Sequence, residues 1–441
     1  MSRYLLTTFL ISCAMIPVQG NAQQLAPTPP MGWNSWDSYG TTIKESEVKA
    51  NTDAMASVLK PYGWQYIVID IQWYEPNAQA HGYRPNAELS MDSNGRLVPA
   101  ANRFPSAVNG QGFKAIADYV HSKGLKFGIH ILRGIPRQAV AQNTPILGTT
   151  FHASDVADKT SLCEWNTDMY GVDMSKPGAQ AYYDSIVKQY AAWGVDFIKA
   201  DDMSRPYHKA EIAGLHKAIV KSGRPIVLSL SPGAAPLEEV EHLRANAQMW
   251  RIEDDLWDNW KSLKAMYFKA ESWAPLVVPG HWPDADMLPL GHIGIRAERG
   301  DDRLSQLTHD EQTTLMTLWS IFRSPLMMGG DLPTLDPFTR SLLTNANVLA
   351  VNQYSTDNKI VYKDGDIRAW TARAQSGGEY LAIFNLSDTP SPIHLTWSQL
   401  GIASTPASVH ELWTHKTTSK PASVEVTLAP HASILYELSS H

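Results

Sequence analysis

The sequence predicts an α/β fold, a (β/α)8 (TIM) barrel followed by a C-terminal antiparallel β-sandwich domain. Three observations carry that reading. Eight short, β-rich runs alternate with segments of helical period as far as residue 346, the rhythm of repeated βα units. The runs are apolar throughout, as strands of a parallel sheet covered on both faces must be. From residue 347 onward the helical periods stop, and short strands separated by Gly, Asp, Ser and Pro follow one another. A chain of 441 residues has room for a barrel of about 250 residues and a second module.

Taken in order, the barrel strands are expected at Met31–Trp36, Tyr66–Asp70, Lys126–Leu132, Phe197–Asp202, Ile226–Ser231, Met249–Asp254, Leu276–Gly280 and Leu326–Gly329. The amphipathic segments between them are Ser46–Leu59, Phe113–Ser122, Pro177–Trp193, His208–Lys221, Pro236–Ala247, Trp257–Ala270 and Asp310–Phe322. The sandwich strands are expected at Lys359–Lys363, Ile367–Ala374, Glu379–Asn385, Ser391–Thr396, Ala407–Glu411, Val424–Leu428 and Ser433–Leu438. The sandwich is read as a packing module for the barrel. This divides the chain into 1–22, 23–346 and 347–441.

Residues 1–22 read as a secretory signal peptide: Arg3, an apolar run from Leu5 to Ile16, and the small-residue site Gly20-Asn21-Ala22. The run is too short to span a membrane. A secreted or periplasmic protein is therefore expected. Leu10-Ile11-Ser12-Cys13 also resembles a lipoprotein cleavage site, which would leave Cys13 lipid-anchored. Cys13 and Cys163 are the two cysteines, so loss of Cys13 with the leader leaves no intrachain disulfide. The net charge of −7 argues against a generally basic nucleic-acid surface. Fifteen Trp and 17 Tyr suit stacking on sugar rings and equally suit a core. No signal for an oligomeric state is present.

Chemistry in such a barrel sits at the C-terminal ends of the strands. Polar residues there include Trp36, Asp70, His130, Lys199, Asp201, Asp202, Ser231, Arg251, Asp254, Asp255 and Asp286. No His/Cys cluster has metal-ligand spacing and no glycine-rich phosphate loop occurs, so no metal or cofactor is expected. Lys199 and Asp201 are two apart on a strand and point the same way. A neighbouring cation favours the ionised carboxylate that a nucleophile needs. The plainer alternative is an aspartate capping the next helix, which suits Asp202 better than Asp201. In Glu253-Asp254-Asp255 three acids adjoin; either one stays protonated, as a general acid requires, or the run is a solvated loop or helix cap. Paired acids in an aromatic pocket suit glycoside hydrolysis, with a carbohydrate substrate. A magnesium-dependent barrel enzyme and a non-catalytic sugar-binding barrel are the other classes.

The chain resembles glycoside hydrolase family 27, the family of α-galactosidases and α-N-acetylgalactosaminidases. The likeness runs through Pro29–Trp36, Tyr66–Asp70, His121–Ile129, Trp193–Asp201, Trp250–Asp255, Trp282–Leu288 and Ser324–Asp331. It implies a retaining exo-glycosidase, first of all an α-galactosidase, with Asp201 as nucleophile and Asp255 as acid/base. It implies sugar ligands at Lys199, Arg251, Asp70 and Asp286, an aromatic wall at Trp36, and a pocket cysteine at Cys163. Asp70 matches the first of two acids that hold the far hydroxyls of galactose.

The sequence departs from the family pattern at several places. Ile71 replaces the second of the paired acids, and Gln72 or Glu75 would have to substitute. His130 stands where a tyrosine is usual and is expected among the sugar ligands. Met203 stands where the partner of the pocket cysteine is usual, so Cys163 is expected as a free thiol. Ser231 and Ala234 resemble the small pair that admits an acetamido group in the N-acetylgalactosaminidase branch. β-L-Arabinopyranosidase and dextran-acting exo-hydrolase activities also occur in the family and tolerate a changed pocket.

Overall fold

The structure, a computed structural model, describes residues 25–439. The expected signal peptide, its cleavage site and Cys13 lie outside the described residues.

Eight parallel strands form one curled sheet: β1 (Met31–Asn34), β2 (Tyr66–Ile69), β3 (Lys126–Leu132), β4 (Phe197–Asp201), β5 (Val227–Leu230), β6 (Met249–Arg251), β7 (Trp282–Asp284) and β8 (Leu326–Met328). Their order is β7-β6-β5-β4-β3-β2-β1-β8. No ladder joins β7 to β8. The ring closes instead through Leu288, four residues past β7, which bridges Met328 in parallel. Its amide donates to the Met327 carbonyl at 2.8 Å, and its carbonyl accepts from Gly329 N at 3.0 Å. The strands are buried almost end to end, the pattern expected of a sheet with helices outside and packed side chains within.

Seven of the eight strands lie where the sequence puts them. The seventh does not: Leu276–Gly280 contributes the end of a 3-10 turn (Ala274–Leu276) and an isolated bridge between Val278 and His281. Pro275 and Pro279 bracket that apolar run. The strand that does form, Trp282–Asp284, itself carries Pro283 at its centre, so it is the ladder with Met249–Arg251 rather than the absence of proline that marks it. The chain enters the barrel three residues later than Val278–Pro279 would suggest, at Trp282. The outer helices include Lys114–Ser122, Ala179–Trp193, Lys209–Ser222, Trp260–Trp273 and His309–Phe322. The last is started by a reciprocal cap: the Thr308 hydroxyl accepts from Glu311 N at 3.2 Å, and the Glu311 carboxylate accepts from Thr308 N at 2.8 Å.

A helix over Ala346–Tyr354 leads into the antiparallel module. Six strands pair in one sheet: β9 (Thr356–Asp364), β10 (Ile367–Arg373), β11 (Glu379–Asn385), β13 (Ser408–Glu411), β14 (Thr417–Ser419) and β16 (Ser433–Ser439), in the order β9-β10-β11-β16-β13-β14. β12 (Ser391–Thr396) and β15 (Ser423–Leu428) pair to form the facing layer. β14 was not expected, because Thr417–Ser419 is fully exposed and carries no apolar pattern. Alternation along β11 sends Leu381 and Ile383 into the sandwich core and Tyr380, Ala382 and Phe384 toward the barrel. Phe384 and Trp370 pack edge-on against Tyr267 of the barrel helix Trp260–Trp273.

Candidate active site

A cavity of about 620 Å³ opens at the C-terminal ends of the barrel strands. Trp36, Asp70, Ile71, Lys199, Asp201 and Asp255 line it, so the loops after β1, β2, β4 and β6 meet in one place. The two acids read as nucleophile and acid/base thus face the same space, and Lys199 and Asp201 share it as the strand alternation predicts.

Asp201 closes β4 with both carboxylate oxygens occupied. His130 Nε2 donates to Oδ2 at 2.8 Å, and the Ser231 hydroxyl donates to Oδ1 at 2.5 Å. The registers of β3 with β4 and of β4 with β5 set these partners: His130 lies beside Lys199, and Lys199 beside Ser229. Burial pushes the Asp201 carboxyl up. The Lys199 ammonium, the His130 contact and the Ser231 hydroxyl outweigh burial and hold it well below the usual carboxylate range. Asp201 is therefore a charged, fixed carboxylate, the state a nucleophile requires.

Asp70 directly follows β2. Its Oδ2 takes the Lys199 ammonium at 2.8 Å and the Asn34 amide at 2.7 Å, and its Oδ1 accepts from Ile71 N at 2.8 Å. Burial raises its pKa, but Lys199 and His130 bring it below the usual value. Burial likewise works against the Lys199 charge, and Asp70 and Asp201 overcome it, so Lys199 stays an ammonium.

Asp255 is the half-buried acid, its side chain 33% exposed and 3.2 Å from Arg251 Nη2. Arg251 is fully buried and also holds Asp286 Oδ1 at 2.8 Å through Nη1. Asp286 Oδ2 in turn accepts from Leu256 N at 2.6 Å, which ties down the turn carrying Asp255. Burial raises the Asp286 carboxyl, Arg251 opposes this, and the nearby Asp255 and Asp284 add to the rise. The helix after this turn starts at Trp260 with Asn259 as its cap, so Asp255 is not a helix cap. Asp202 is not one either, because its helix begins at Lys209. Asp202 takes a left-handed conformation (φ 61) and receives Arg133 Nη2 at 2.8 Å and Nε at 3.0 Å.

Six of the sequence-based site residues stand apart from the open cavity: His130, Cys163, Ser231, Ala234, Arg251 and Asp286 do not line it. His130, expected among the sugar ligands, is fully buried against Asp201 instead. Ser231, Arg251 and Asp286 line a smaller pocket beneath it that shares Lys199. Ser231 is committed to Asp201, and Ala234 does not line the cavity. Cys163 is buried behind its neighbours Leu162 and Glu164, which do line the cavity. It is a free thiol, and burial together with Asp202 pushes its pKa up to about 12. Gln72 and Glu75 do not replace the missing acid. The Gln72 amide donates to Asp168 at 2.6 Å, Glu75 accepts from Arg84 at 3.0 Å, and neither lines the cavity. Ile71 thus stands in the wall, and neither of the two residues the sequence offered in its place reaches the cavity. Among the described residues no group of three or more His, Cys, Asp or Glu is arranged to hold a metal ion, and no helix is long and apolar enough to cross a membrane.

Sequence reasoning missed Tyr83, Trp165 and Glu298, which also line the cavity. Tyr83 and Glu298 lie in long loops after β2 and β7. Trp165 lies in the short connection between two antiparallel strands, Ala157–Leu162 and Met169–Val172, inserted after β3. In none of these does periodicity mark which side chain turns inward. The available signal was local: Trp165 is two residues from Cys163 in Leu162-Cys163-Glu164-Trp165.

Comparison with known proteins bears on both modules. The melibiase family described as Alpha galactosidase A matches residues 28–176 and 172–354, and the Alpha galactosidase C-terminal beta sandwich domain matches 364–438. A β-L-arabinopyranosidase of glycoside hydrolase family 27 from Geobacillus stearothermophilus is 54% identical, with a TM-score of 0.92, over 94% of this chain and 97% of that one. An α-galactosidase from Cyamopsis tetragonoloba is 30% identical over 421 residues, 94% of this chain and 87% of its own length. An α-N-acetylgalactosaminidase from Gallus gallus is 28% identical over 399 residues, 85% of this chain and 82% of its own length.

Proposed function

This chain belongs to glycoside hydrolase family 27, the melibiase family, and from that premise we propose that it is a retaining exo-glycosidase whose best substrates are β-L-arabinopyranosides. Asp201 attacks the anomeric carbon while Asp255 gives its proton to the departing oxygen. A covalent glycosyl ester on Asp201 results. Esterification removes the Asp201 charge from the pocket, which makes room for the charge that Asp255 has acquired. A water molecule then adds to the anomeric carbon and passes its proton to Asp255. The ester bond to Asp201 breaks, and the configuration at the sugar carbon is retained. Lys199 and Asp70 offer one donor and one acceptor to ring hydroxyls at the floor.

The observation that carries the choice of sugar is Ile71 in the cavity wall beside Asp70, with neither Gln72 nor Glu75 reaching the cavity in its place. β-L-Arabinopyranose has the ring configuration of α-D-galactopyranose, with a hydrogen where galactose bears its hydroxymethyl group. A hydroxymethyl brought against Ile71 loses water and gains no hydrogen bond. The arabinose ring asks nothing of that wall. The 54% identity to a family 27 β-L-arabinopyranosidase supports the same reading. The acetamido branch draws no support from residues 231 and 234, since one is bound to Asp201 and the other does not line the cavity.

The test is kcat/KM on nitrophenyl β-L-arabinopyranoside against nitrophenyl α-D-galactopyranoside. A preference for the arabinoside of about 10- to 200-fold is expected, the range for one added group at an apolar wall. Ile71→Asp should shrink or invert it. A wild-type preference for the galactoside would return the assignment to α-galactosidase. Export, supported by the apolar run Leu5–Ile16, is part of the proposal, and N-terminal sequencing of the mature protein tests it.

A further inference from the structure

The cavity is larger than one sugar ring needs. At about 620 Å³ it falls within the range, about 300–1,000 Å³, that encloses ligands of several rings. An aromatic row runs through it from inside to outside. Trp36, 5% exposed, stacks on Tyr83 with ring centroids 5.9 Å apart and planes 18° apart. Tyr83 meets Trp165 at 5.4 Å and 44°, and Trp165 is 37% exposed. Leu162 lies in the same wall and is also exposed. The Tyr83 hydroxyl has no hydrogen-bond partner among the described residues. Burial, together with Asp201 and Asp70, holds its pKa well above the usual value, so it keeps its proton.

We propose that the outer half of this cavity is a binding subsite for a neutral sugar ring on the leaving side of the scissile bond, with Trp165 as its platform and the Tyr83 hydroxyl as a hydrogen-bond donor. An apolar ring face beside polar groups is what a pyranose, apolar on its faces and polar on its rim, can cover. The charges of the rim give the preference for neutrality. Arg205 is paired with Asp254 at 2.6 Å and Arg299 with Glu298 at 3.8 Å. Glu164 lines the same space and has no ion-pair partner among the described residues. A uronate there meets the unpaired Glu164 carboxylate, while both rim arginines are already engaged.

The subsite rests on the assignment of Asp201 and Asp255 but not on the identity of the glycone. The test compares a glycosyl fluoride, whose leaving group is a single atom, with a glucose-linked disaccharide of the same glycone. Trp165→Ala should lower the ratio of kcat/KM for disaccharide over fluoride about tenfold, the loss of one aromatic contact face. Tyr83→Phe should lower it by a smaller factor. A ratio within twofold of wild type in both variants overturns the subsite. In a second arm, replacing glucose by glucuronate should cost wild type about tenfold at low salt, and the gap should narrow as salt is added. Equal or faster turnover of the uronate overturns the preference for neutral rings. If arabinosyl fluoride fails as a donor and galactosyl fluoride succeeds, the glycone assignment falls. The same ratios, measured with the galactosyl pair, still decide the subsite.

Discussion

His130 at the barrel mouth and His431 at the seam between barrel and sandwich both face carboxylates, and they do so differently. His431 at the seam uses both ring nitrogens, Nδ1 to Glu311 at 2.7 Å and Nε2 to Asp388 at 2.8 Å. Its ring also stacks on Trp260 with centroids 3.9 Å apart. His130 at the mouth uses one, Nε2 to Asp201, and its buried Nδ1 has no partner. The contrast extends to the surroundings. Asp37 Oδ2 and Arg251 Nε near the mouth are also buried without partners. The seam has matched groups such as Trp413 Nε1 donating to the Thr317 hydroxyl at 3.0 Å, and the buried atom left unpaired beside His431, Trp260 Nε1, belongs to a neutral side chain rather than a charged one. A folded protein rarely leaves buried polar groups unpaired. Where several are left together with charges, the arrangement serves something other than stability.

The largest effect that separates the two regions is expected at Asp201. Asp201→Asn should reduce turnover of any good substrate by at least about 10³-fold while circular dichroism remains that of the folded protein. Retention of near-normal activity would remove Asp201 as nucleophile and with it the functional reading of the mouth. A paired experiment on the two histidines is next. His130→Ala should lower kcat about tenfold to a hundredfold, the worth of one hydrogen bond to a charged group, with a smaller effect on thermal stability. His431→Ala should do the reverse: a loss of about 1–3 kcal/mol in stability, with kcat/KM within twofold of wild type. If the two variants gave the same pattern, the distinction between mouth and seam would be lost.

The smallest effect concerns acid. The Asp201 carboxyl titrates below its ordinary value in the folded chain. Its contribution to stability is therefore complete above the unfolded-state value, about pH 4, and is lost as pH falls toward the folded-state value. The unfolding midpoint of wild type should fall more steeply than that of Asp201→Asn between about pH 5 and about pH 2.5. Parallel curves would mean that Lys199, His130 and Ser231 do not hold the charge.

Much of the mouth was legible because strand ends are positions that hydrophobic runs mark. Phe197–Asp201 and Met249–Arg251 each end where an apolar run meets charge, so Asp201, Lys199 and Arg251 could be read directly. Asp255 needed the family resemblance as well, since it sits in a turn that pattern alone leaves divided between acid and cap. The loops were not legible. Tyr83 and Trp165 reach the cavity through irregular chain whose path depends on contacts made across the whole barrel. The seventh strand was misplaced because hydrophobicity alone favours Leu276–Gly280, whereas the ladder with Met249–Arg251 forms at Trp282–Asp284, a three-residue run whose Pro283 and Asp284 give no strand pattern. Of the fifteen tryptophans, Trp33, Trp64, Trp73, Trp250, Trp282, Trp319 and Trp370 are among the largest fully buried side chains. Composition could not separate these from Trp36 and Trp165.

The single bridge at Leu288 has a bearing on how such a wall can vary. Around the rest of the barrel, each stave is fastened to its neighbours by a ladder, and inserting a residue would slip every rung. Between Trp282–Asp284 and Leu326–Met328 the chain detours through Asp286, at φ 86, and returns to touch Met328 once. That detour carries the carboxylate which braces Arg251. The segment can therefore be lengthened, shortened or re-aimed without disturbing the pairing of any other stave, so the wall is most easily retailored next to the arginine that contacts Asp255.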